Sequence, residues 1–301
     1  MGVAKNLNDL VKHQQRKRRI GIVGIIIFVL VFGALGLFIF RSSIFDLRQQ
    51  RSLHYKLTDE HIRINIEAGL DGVYISTNDY DSNELSISYS DENDDYQIYW
   101  EGNELTIRNK REKLPLLADD SNSYLNVVLS ADLFVEDLRA SGDKVIDLDN
   151  LRMGSFTITV SENDRCENRS VYMANCEADS VEIAVAGDVY ITKSVLGDGS
   201  IKVEGDEYSG LSLVDCEFGN MEIFSNQGAY IQNCRFKRAL INLEGADSWS
   251  MIDNVLFDHL RVNCAGGLAL SLPGEREDYR DNLEVVCSNL NIEYVAQETY
   301  G

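Results

Sequence analysis

From residue 171 to residue 272 the chain repeats one pattern of apolar and polar positions about every twenty residues. Each copy begins with an apolar residue, a variable residue and a polar residue. The fourth position is Cys, Ser or Asn, and the sixth position is non-polar. The copies begin at Met173, Ile191, Leu213, Ile231 and Met251. Their fourth positions are Cys176, Ser194, Cys216, Cys234 and Asn254, spaced 18, 22, 18 and 20 residues apart, and the non-polar residues that follow are Ala178, Leu196, Phe218, Phe236 and Leu256.

The second half of each copy carries another two apolar residues separated by one position. These pairs are Val181/Ile183, Ile201/Val203, Met221/Ile223, Ile241/Leu243 and Leu260/Val262, and most copies then close with Gly187, Gly205, Gly228, Gly245 or Gly266. Apolar residues two apart indicate strands with one buried face, and glycine permits sharp turns between strands. A unit this short cannot bury its apolar face alone, whereas stacked copies share a continuous core. The repeat therefore predicts a β-solenoid, right-handed as parallel crossovers are.

Alternation typical of strands also occurs on both sides of the clear repeats. The segments are Ile62–Ile66, Val73–Ile75, Leu85–Tyr89, Tyr96–Trp100, Leu105–Ile107, Tyr124–Leu129, Leu133–Val135, Val145–Asp149, Phe156–Val160, Leu268–Leu272, Leu283–Val286 and Leu290–Tyr294. Turns rich in Asp, Asn and Gly separate many of them. No long helical period occurs outside residues 20–40. We therefore predict an all-β fold, a right-handed, β-helix-like solenoid domain over residues 61–296.

Residues 20–40 are uncharged and follow a basic tail, residues 1–19, that ends in Arg16-Lys17-Arg18-Arg19. At about 1.5 Å rise per residue this run spans a hydrocarbon core of about 30 Å, so we predict one transmembrane helix. A cleavable signal peptide is the main alternative, but its apolar run is normally about 7 to 15 residues long. Because basic residues stay on the cytoplasmic side, we expect a cytoplasmic N-terminus and an extracellular C-terminal domain in a single-pass protein of the cell membrane.

Residues 41–60 connect the predicted transmembrane helix to the predicted solenoid. We interpret them as a juxtamembrane stalk, in which Ile44, Leu47 and Leu53 form a short amphipathic helix. The chain is thus divided into a tail, a membrane helix, a stalk and a solenoid, and the lipid bilayer is one expected partner.

The charge of the chain is unevenly distributed. The sequence has 28 basic and 49 acidic residues, a net charge of −21, and six of the basic residues but only one acid precede residue 20. Residues 41–301 therefore hold 22 basic and 48 acidic residues, a net charge of −26. A domain with this charge repels nucleic acid, and we expect no nucleic-acid partner. The same charge attracts cations or basic partners.

Three groups of residues resemble the bacterial putative-adhesin domain family of unknown function. They are Ile62-x-Ile64-x-Ile66 with Gly72-Val73-x-Ile75, then Leu138-x-x-Ser141-Gly142-Asp143, and finally Leu272-Pro273-Gly274 with Asp278-Tyr279. The resemblance covers roughly residues 60–296 and implies a repetitive β-solenoid, often carried behind a membrane anchor in Gram-positive bacteria. Most coils of this chain replace the family's Ser-Gly-Asp by an Asn/Asp-Cys pattern. The resemblance implies no catalytic residue.

Six cysteines raise the question of disulfides: Cys166, Cys176, Cys216, Cys234, Cys264 and Cys287. An even number in an exported domain is compatible with disulfide bonds, and Cys216 with Cys234 would then be the first candidate pair, on neighbouring coils. However, these two and Cys176 share one repeat position with Ser194 and Asn254. We therefore favour a column of small buried residues with free thiols. Zinc is not predicted, because the sequence has no Cys-x-x-Cys.

Two acidic segments are candidate cation sites. Asp79-x-Asp81-x-Asn83 opens like an EF-hand loop, but Glu84 replaces the required glycine and Ser90 the final glutamate, so a hairpin turn is favoured. The segment Asp91–Asp95 leaves looser cation binding open. We predict no metal and no cofactor.

A carbohydrate-active enzyme, lyase-like or hydrolase-like, is the alternative function, because solenoid enzymes hold carboxylates on adjacent coils. The positions between the paired apolar residues read Glu182, Lys202, Glu222, Asn242 and Arg261, which predicts a mixed-charge surface ladder. Four histidines are His13, His54, His61 and His259, with only Asp258 adjacent to the last, and no catalytic residue is predicted. Asn168-Arg169-Ser170 matches a glycosylation sequon, a match we attribute to chance.

The sequence thus favours a non-enzymatic, membrane-anchored protein that presents an elongated solenoid outside the cell. Coils leave long flat faces that suit recognition. We expect contact or adhesion involving cell-wall material or another envelope protein, with envelope sensing as an equally open variant.

Overall fold

The computed structural model describes residues 50–69, 71–78, 83–90, 96–110, 124–162, 169–205 and 210–295. The predicted tail, the predicted transmembrane helix and residues 41–49 of the predicted stalk lie outside these ranges. Within them, no helix has the length and apolar character needed to cross a bilayer.

The described residues are almost entirely β-strand. In chain order the strands are β1 Gln50–Lys56, β2 His61–Glu67, β3 Gly72–Asn78, β4 Glu84–Ser90, β5 Tyr96–Glu101, β6 Glu104–Asn109, β7 Tyr124–Ser130, β8 Phe134–Gly142, β9 Ile146–Asp149, β10 Arg152–Val160, β11 Ser170–Ala174, β12 Glu177–Val185, β13 Asp188–Thr192, β14 Val195–Val203, β15 Leu211–Val214, β16 Glu217–Ser225, β17 Ala229–Gln232, β18 Arg235–Leu243, β19 Trp249–Asp253, β20 Leu256–Pro273 and β21 Leu283–Val295. A short 3-10 helix, Arg276–Tyr279, connects the last two strands.

The strands stack into two ladders. The long-strand sheet runs β5, β6, β2, β8, β10, β12, β14, β16, β18, β20 and β21, and it is parallel except for β5. The short-strand sheet runs β1, β4, β7, β3, β9, β11, β13, β15, β17, β19, β20 and β21, and only the pairings of β4 with its two neighbours are antiparallel. Each coil contributes one strand to each sheet, which confirms the predicted all-β solenoid.

The first coil of the chain is inserted between later ones. Strand β2 pairs with β6 on one side and β8 on the other, and β3 pairs in the same way with β7 and β9. The coil formed by β2 and β3 therefore lies between the β6–β7 coil and the β8–β9 coil. Strands β1, β4 and β5 form the N-terminal end of the two ladders.

The core consists of inward-facing columns in which each coil supplies one side chain. One column is aliphatic throughout and is almost completely buried; it contains Ile66, Ala140, Ile158, Ile183, Ile201, Ile223, Ile241 and Val262. Burying each such isoleucine contributes about 1.5–3 kcal/mol. Most described coils therefore stabilise their neighbours, as expected for a repeat that cannot fold alone.

The structure corrects the register predicted for the last repeat. Ile231 pairs with Ile252, whereas Met251 pairs with Tyr230 on the outer face. The fourth position of the last copy is consequently Val255 instead of Asn254. The residue that pairs with Phe236 is then Phe257, in place of the predicted Leu256.

The alignment of the repeats also places the pairs Ile201/Val203 and Ile241/Leu243 two residues too far towards the C-terminus. Ile201 pairs with Ile183, so Gly199, and not Ile201, lies beside Val181. In the same way Ile241 pairs with Ile223. The sequence could not reveal this shift because glycine occupies the inward position in β14. A Cβ at Gly199 would collide with the carbonyl oxygen of Val181.

The sharp turns depend on asparagine and similar residues rather than on the repeat glycines. A left-handed backbone conformation, with φ between 50° and 57°, occurs at Asn150, Asn175, Lys193, Asp215, Asn233 and Asn254. Asn and Asp tolerate this conformation because their short side chains form local hydrogen bonds. Asn233 Nδ2 donates to Asp215 Oδ1 at 2.9 Å, and Asn254 Nδ2 donates to Asn233 Oδ1 at 2.8 Å. These residues form a polar column along one corner.

Strand β1 lies in the range predicted as a stalk. It pairs antiparallel with β4 along its whole length, with Leu53 opposite Ile87. The amphipathic helix predicted through Leu53 is therefore wrong at that residue. Leu53 packs against the core because its alternating neighbours form a strand.

Candidate functional site

A column of outward-facing residues runs along the short-strand sheet. Successive partners in the ladder are Tyr74, Asp147, Tyr172, Tyr190, Ser212, Tyr230 and Met251. We call the outer surface of β7, β3, β9, β11, β13, β15, β17 and β19 the tyrosine face. Its side chains point outwards because the strands bury the alternate residues, as in Val73-Tyr74-Ile75 and Val189-Tyr190-Ile191.

The tyrosine face concentrates the exposed aromatic surface. Thirteen large apolar or aromatic side chains are exposed among the described residues, and seven of them lie on this face. The seven are Tyr74, Tyr124, Tyr172, Tyr190, Tyr230, Trp249 and Met251. Scattered exposed apolar residues need no explanation, but a contiguous patch marks an interaction surface.

Neighbouring rings on this face contact each other. The rings of Tyr172 and Tyr190 are stacked, with centroids 5.0 Å apart and planes 6° from parallel. Tyr74 and Tyr124 pack edge to face, with centroids 6.2 Å apart. Farther along, the Tyr230 hydroxyl donates to Gln232 Oε1 at 2.7 Å. These contacts hold several of the rings in fixed positions, which lowers the entropy lost on binding.

Trp249 is the most exposed of the seven large side chains on the face, at 58%. Its indole lies over Gly267 of the next coil, where a Cβ would collide with the ring. Gly228, on the coil before, adjoins the backbone of Trp249, because a Cβ at this glycine would lie 2.8 Å from the Trp249 carbonyl oxygen. Glycines on both sides thus leave the indole prominent at the edge of the face.

Only acidic residues carry charge in the eight strands of the tyrosine face. Asp147, Asp149, Asp188 and Asp253 belong to these strands, which contain no Lys, Arg or His. Burial raises the pKa of Asp147, and the negative charge of Asp149 raises that pKa further. Burial, followed by the charges of Asp188 and Tyr172, also raises the pKa of Tyr190. The face therefore combines aromatic rings with negative charge.

The predicted thiol column lies at the corner that follows the short strands. Cys176, Cys216, Cys234, Cys264 and Cys287 are free thiols. Cys216 and Cys234 follow neighbouring strands of the ladder and so lie on neighbouring coils, as predicted. The nearby Cys216 thiol, followed by burial, raises the pKa of the Cys234 thiol. Cys166 lies outside the described residues.

Each thiol of this corner binds backbone in the same way. Cys176, Cys216 and Cys234 donate to the carbonyl oxygen two residues earlier, at 3.2, 3.1 and 3.2 Å, and the Ser194 hydroxyl does so at 2.9 Å. Burial raises the pKa of Cys176 to about 12. These groups satisfy backbone acceptors at the corner, which is a structural role.

A groove of about 740 Å³ crosses the long-strand sheet beside Gly197 and Gly219. Its carboxylates, Asp179, Glu217 and Asp258, are accompanied by the cations Arg235 and Lys237. Next to the groove, hydrogen bonds from the backbone and side chain of Asn220, aided by Lys237, hold the pKa of Asp198 below its usual range. A glycosidase needs a general acid with a raised pKa, so Asp198 does not suit that role.

The predicted mixed-charge ladder is divided between two columns. Glu182 pairs with Ser200 and Lys202 pairs with Ala184, so these two side chains are not neighbours in one column. Arg261 lies in the column of Glu182 and contacts Glu284, at 3.6 Å. The split follows from the same two-residue shift that misplaced Ile201.

Other candidates remain separate or lie outside the described residues. Asp258 and His259 are adjacent residues of β20, the first exposed and the second half-buried. His61 Nδ1 lies 3.7 Å from Glu136. Asp79, Asp81, the segment Asp91–Asp95 and Asn168 lie outside the ranges that the structure describes. Within those ranges, no group of three or more His, Cys, Asp or Glu residues is placed to hold a metal ion.

Sequence reasoning missed the tyrosines, although a signal was present. Four short strands carry Tyr between two apolar residues, at Tyr74, Tyr172, Tyr190 and Tyr230. Outward positions of a strand are usually polar, so a recurring aromatic residue there indicates a surface that something contacts.

No family model matches the chain, and no curated protein matches it. It is similar to the crystal structure of a putative adhesin from Bacteroides fragilis NCTC 9343, with 12% sequence identity and a TM-score of 0.45, covering 83% of this chain and 95% of that one.

Two further solved structures have comparable similarity. A putative adhesin from Parabacteroides distasonis ATCC 8503 is 10% identical, with a TM-score of 0.42 and coverage of 82% of this chain and 97% of that one. A putative adhesin from Parabacteroides merdae ATCC 43184 is 10% identical, with a TM-score of 0.41 and coverage of 82% and 96%. The resemblance of the sequence to the putative-adhesin family fits these three structures, which are themselves putative adhesins.

Proposed function

We propose that this protein is a non-enzymatic contact protein that binds its partner through the tyrosine face. The observation that carries the proposal is the concentration of exposed aromatic residues on one sheet of the solenoid. Tyr and Trp are enriched at interfaces because they offer large contact areas at a small cost in conformational entropy. A parallel sheet of stacked coils presents them on one continuous surface.

The location of this face follows from the sequence. We propose that residues 20–40 anchor the chain in the cell membrane, with residues 1–19 in the cytoplasm and a right-handed solenoid outside. The partner is then a component of the envelope, either cell-wall material or another envelope protein, and the contact is adhesive. The uncharged run and the basic residues before it support this arrangement.

Capture of envelope components tests the proposed function. The full chain, solubilised in detergent, is immobilised and exposed to isolated cell walls and membranes. We expect Tyr172→Ser combined with Tyr230→Ser to reduce capture at least about tenfold, since interface aromatics carry much of a binding energy.

The matched control is Tyr99→Ser, which removes a tyrosine of similar exposure, 46%, from β5 of the other sheet. This variant should capture as well as the natural sequence does. Equal capture by the face variant and the natural protein would disprove the proposed function. Turnover of acidic glycans by the full chain would favour the enzyme instead.

A further inference from the structure

The tyrosine column is interrupted at Asp147. This residue pairs with Tyr74 on one side and with Tyr172 on the other, so two rings flank one carboxylate. The Tyr172 ring stacks on Tyr190 in the next coil, so its opposite face is turned towards Asp147. The result is a gap in the aromatic ladder, with a carboxylate at its base.

The gap has the width of one flat group. Adjacent strands lie about 4.8 Å apart, so residues two strands apart are separated by about 9.6 Å. A planar group between two rings needs contacts of about 3.5–4 Å on each side. One planar layer therefore fits between Tyr74 and Tyr172, and two do not.

The Asp147 carboxylate has no partner for its charge within the described part of the chain. No hydrogen bond or ion pair to it forms there, and Asp149, two residues away on the same strand, is also acidic. Lys144 and Arg169 lie in neighbouring loops and have interactions of their own. A half-buried carboxylate that lacks a cation is unfavourable until a ligand supplies one.

We propose that the gap at Asp147 binds the guanidinium group of an arginine side chain from a partner protein, stacked between Tyr74 and Tyr172. Guanidinium is planar, stacks on aromatic rings and forms paired hydrogen bonds with carboxylates. Lysine offers a point charge that fills a flat gap less well. The inference rests on the proposed function, because it identifies the partner chemistry of the same face, and it favours a protein over cell-wall glycan.

The same column contains a natural comparison at Ser212. This residue lies between Tyr190 and Tyr230, so it forms a second gap of the same width without the charge. If ring spacing alone determined binding, both gaps would take the same ligand. If the carboxylate is needed, only the gap at Asp147 takes arginine.

The test uses the full chain in detergent micelles and short peptides in solution, observed by saturation-transfer NMR. The probe is acetyl-Gly-Arg-Gly-amide, and the control is the same peptide with citrulline, which is planar but uncharged. We expect saturation of the arginine side-chain protons and affinity at least about fivefold weaker for citrulline. Asp147→Asn should weaken arginine binding by a similar factor, and Ser212→Asp should create a second arginine site.

Each outcome decides the matter. Binding of both peptides alike, or unchanged arginine binding in Asp147→Asn, would overturn the proposed arginine site. Tyr230→Ser lies away from the gap and should leave arginine binding intact while it weakens envelope capture. Retained capture in that variant, together with normal arginine binding, would count against the wider contact role while supporting the site at Asp147.

Discussion

The rings of Tyr172 and Tyr190 lie parallel on adjacent coils, with centroids 5.0 Å apart. Both rings are about 40% exposed, at 41% and 38%, although stacking usually accompanies burial. Coil stacking therefore aligns the residues that follow Val171 and Val189 and holds two aromatic rings at the surface. A solenoid converts a sequence repeat into an ordered surface in this way.

Removing one ring of this pair should affect binding far more than stability. Tyr190→Ser loses one exposed stacking contact, worth about 0.5–1.5 kcal/mol in the free energy of unfolding. We expect envelope capture to fall severalfold in the same variant. Urea denaturation and capture assays on one preparation measure both quantities. A loss of more than about 4 kcal/mol would show that the pair belongs to the core.

The left-handed corner predicts opposite effects for two substitutions. Asn233 has φ of 54° and donates to Asp215, so Asn233→Ala should cost about 1–2 kcal/mol of unfolding free energy. Lys193, at φ of 50°, occupies the same corner with a side chain less suited to this conformation. Lys193→Gly should therefore be neutral or stabilising in urea denaturation. The reverse order of the two effects would contradict the role given to the corner.

Thiol reactivity should distinguish the buried cysteines of the corner from Cys287 of the last coil. Cys176 is buried, and burial raises its pKa to about 12, so little thiolate exists at pH 8. Cys287 is partly exposed. In a Cys166→Ala background, iodoacetamide should modify Cys287 at least roughly a hundredfold faster than Cys176, as followed by mass spectrometry. Comparable rates would mean that the corner opens readily in solution.

Asp147 should make the folded protein less stable at neutral pH. Its pKa is raised in the folded state, first by burial and then by Asp149, so the folded state binds a proton more tightly than the unfolded state does. The penalty is absent at acidic pH and develops as the pH rises through the ordinary carboxyl range. Asp147→Asn should therefore raise the unfolding temperature at pH 7 by about 1–3 °C, and by less at pH 4.

The groups that face Asp147 are Tyr74 and Tyr172, with Asp149 on its own strand, and none is a cation. Asp149→Asn is the matched control and should give a smaller gain in unfolding temperature. A lower unfolding temperature in Asp147→Asn at pH 7 would show that the carboxylate stabilises the fold. That result would contradict the proposal that Asp147 binds a cationic group of a partner.

Much of the solenoid could be predicted because the repeat reflects local packing. Inward residues such as Ile183 and Ile223 must be apolar in every coil, so their spacing is visible in the sequence. The register predicted from the sequence is wrong where an inward position carries no large apolar residue. Gly199 occupies an inward position, and the last copy has one more residue before Val255 than the sequence alignment assumed.

The insertion of the β2–β3 coil between later coils could not be predicted. Ile64 pairs with both Leu105 and Leu138, and nothing in an alternating strand specifies which distant strands become its neighbours. The tyrosine face was missed for a different reason. Tyrosine is common in strands, so the recurring Tyr of the short strands indicates a surface only once the stacked coils place Tyr172 beside Tyr190.

Tyrosine footprinting by iodination, with mass spectrometry, tests the central claim most directly, using the full chain alone and bound to envelope material. The ratio of the two rates at each residue removes differences in intrinsic reactivity. We predict strong protection of Tyr172, Tyr190 and Tyr230 on binding, with Tyr99 of β5 unchanged. Protection of Tyr99 while the three tyrosines of the short-strand sheet stay reactive would contradict the claim that this face makes the contact.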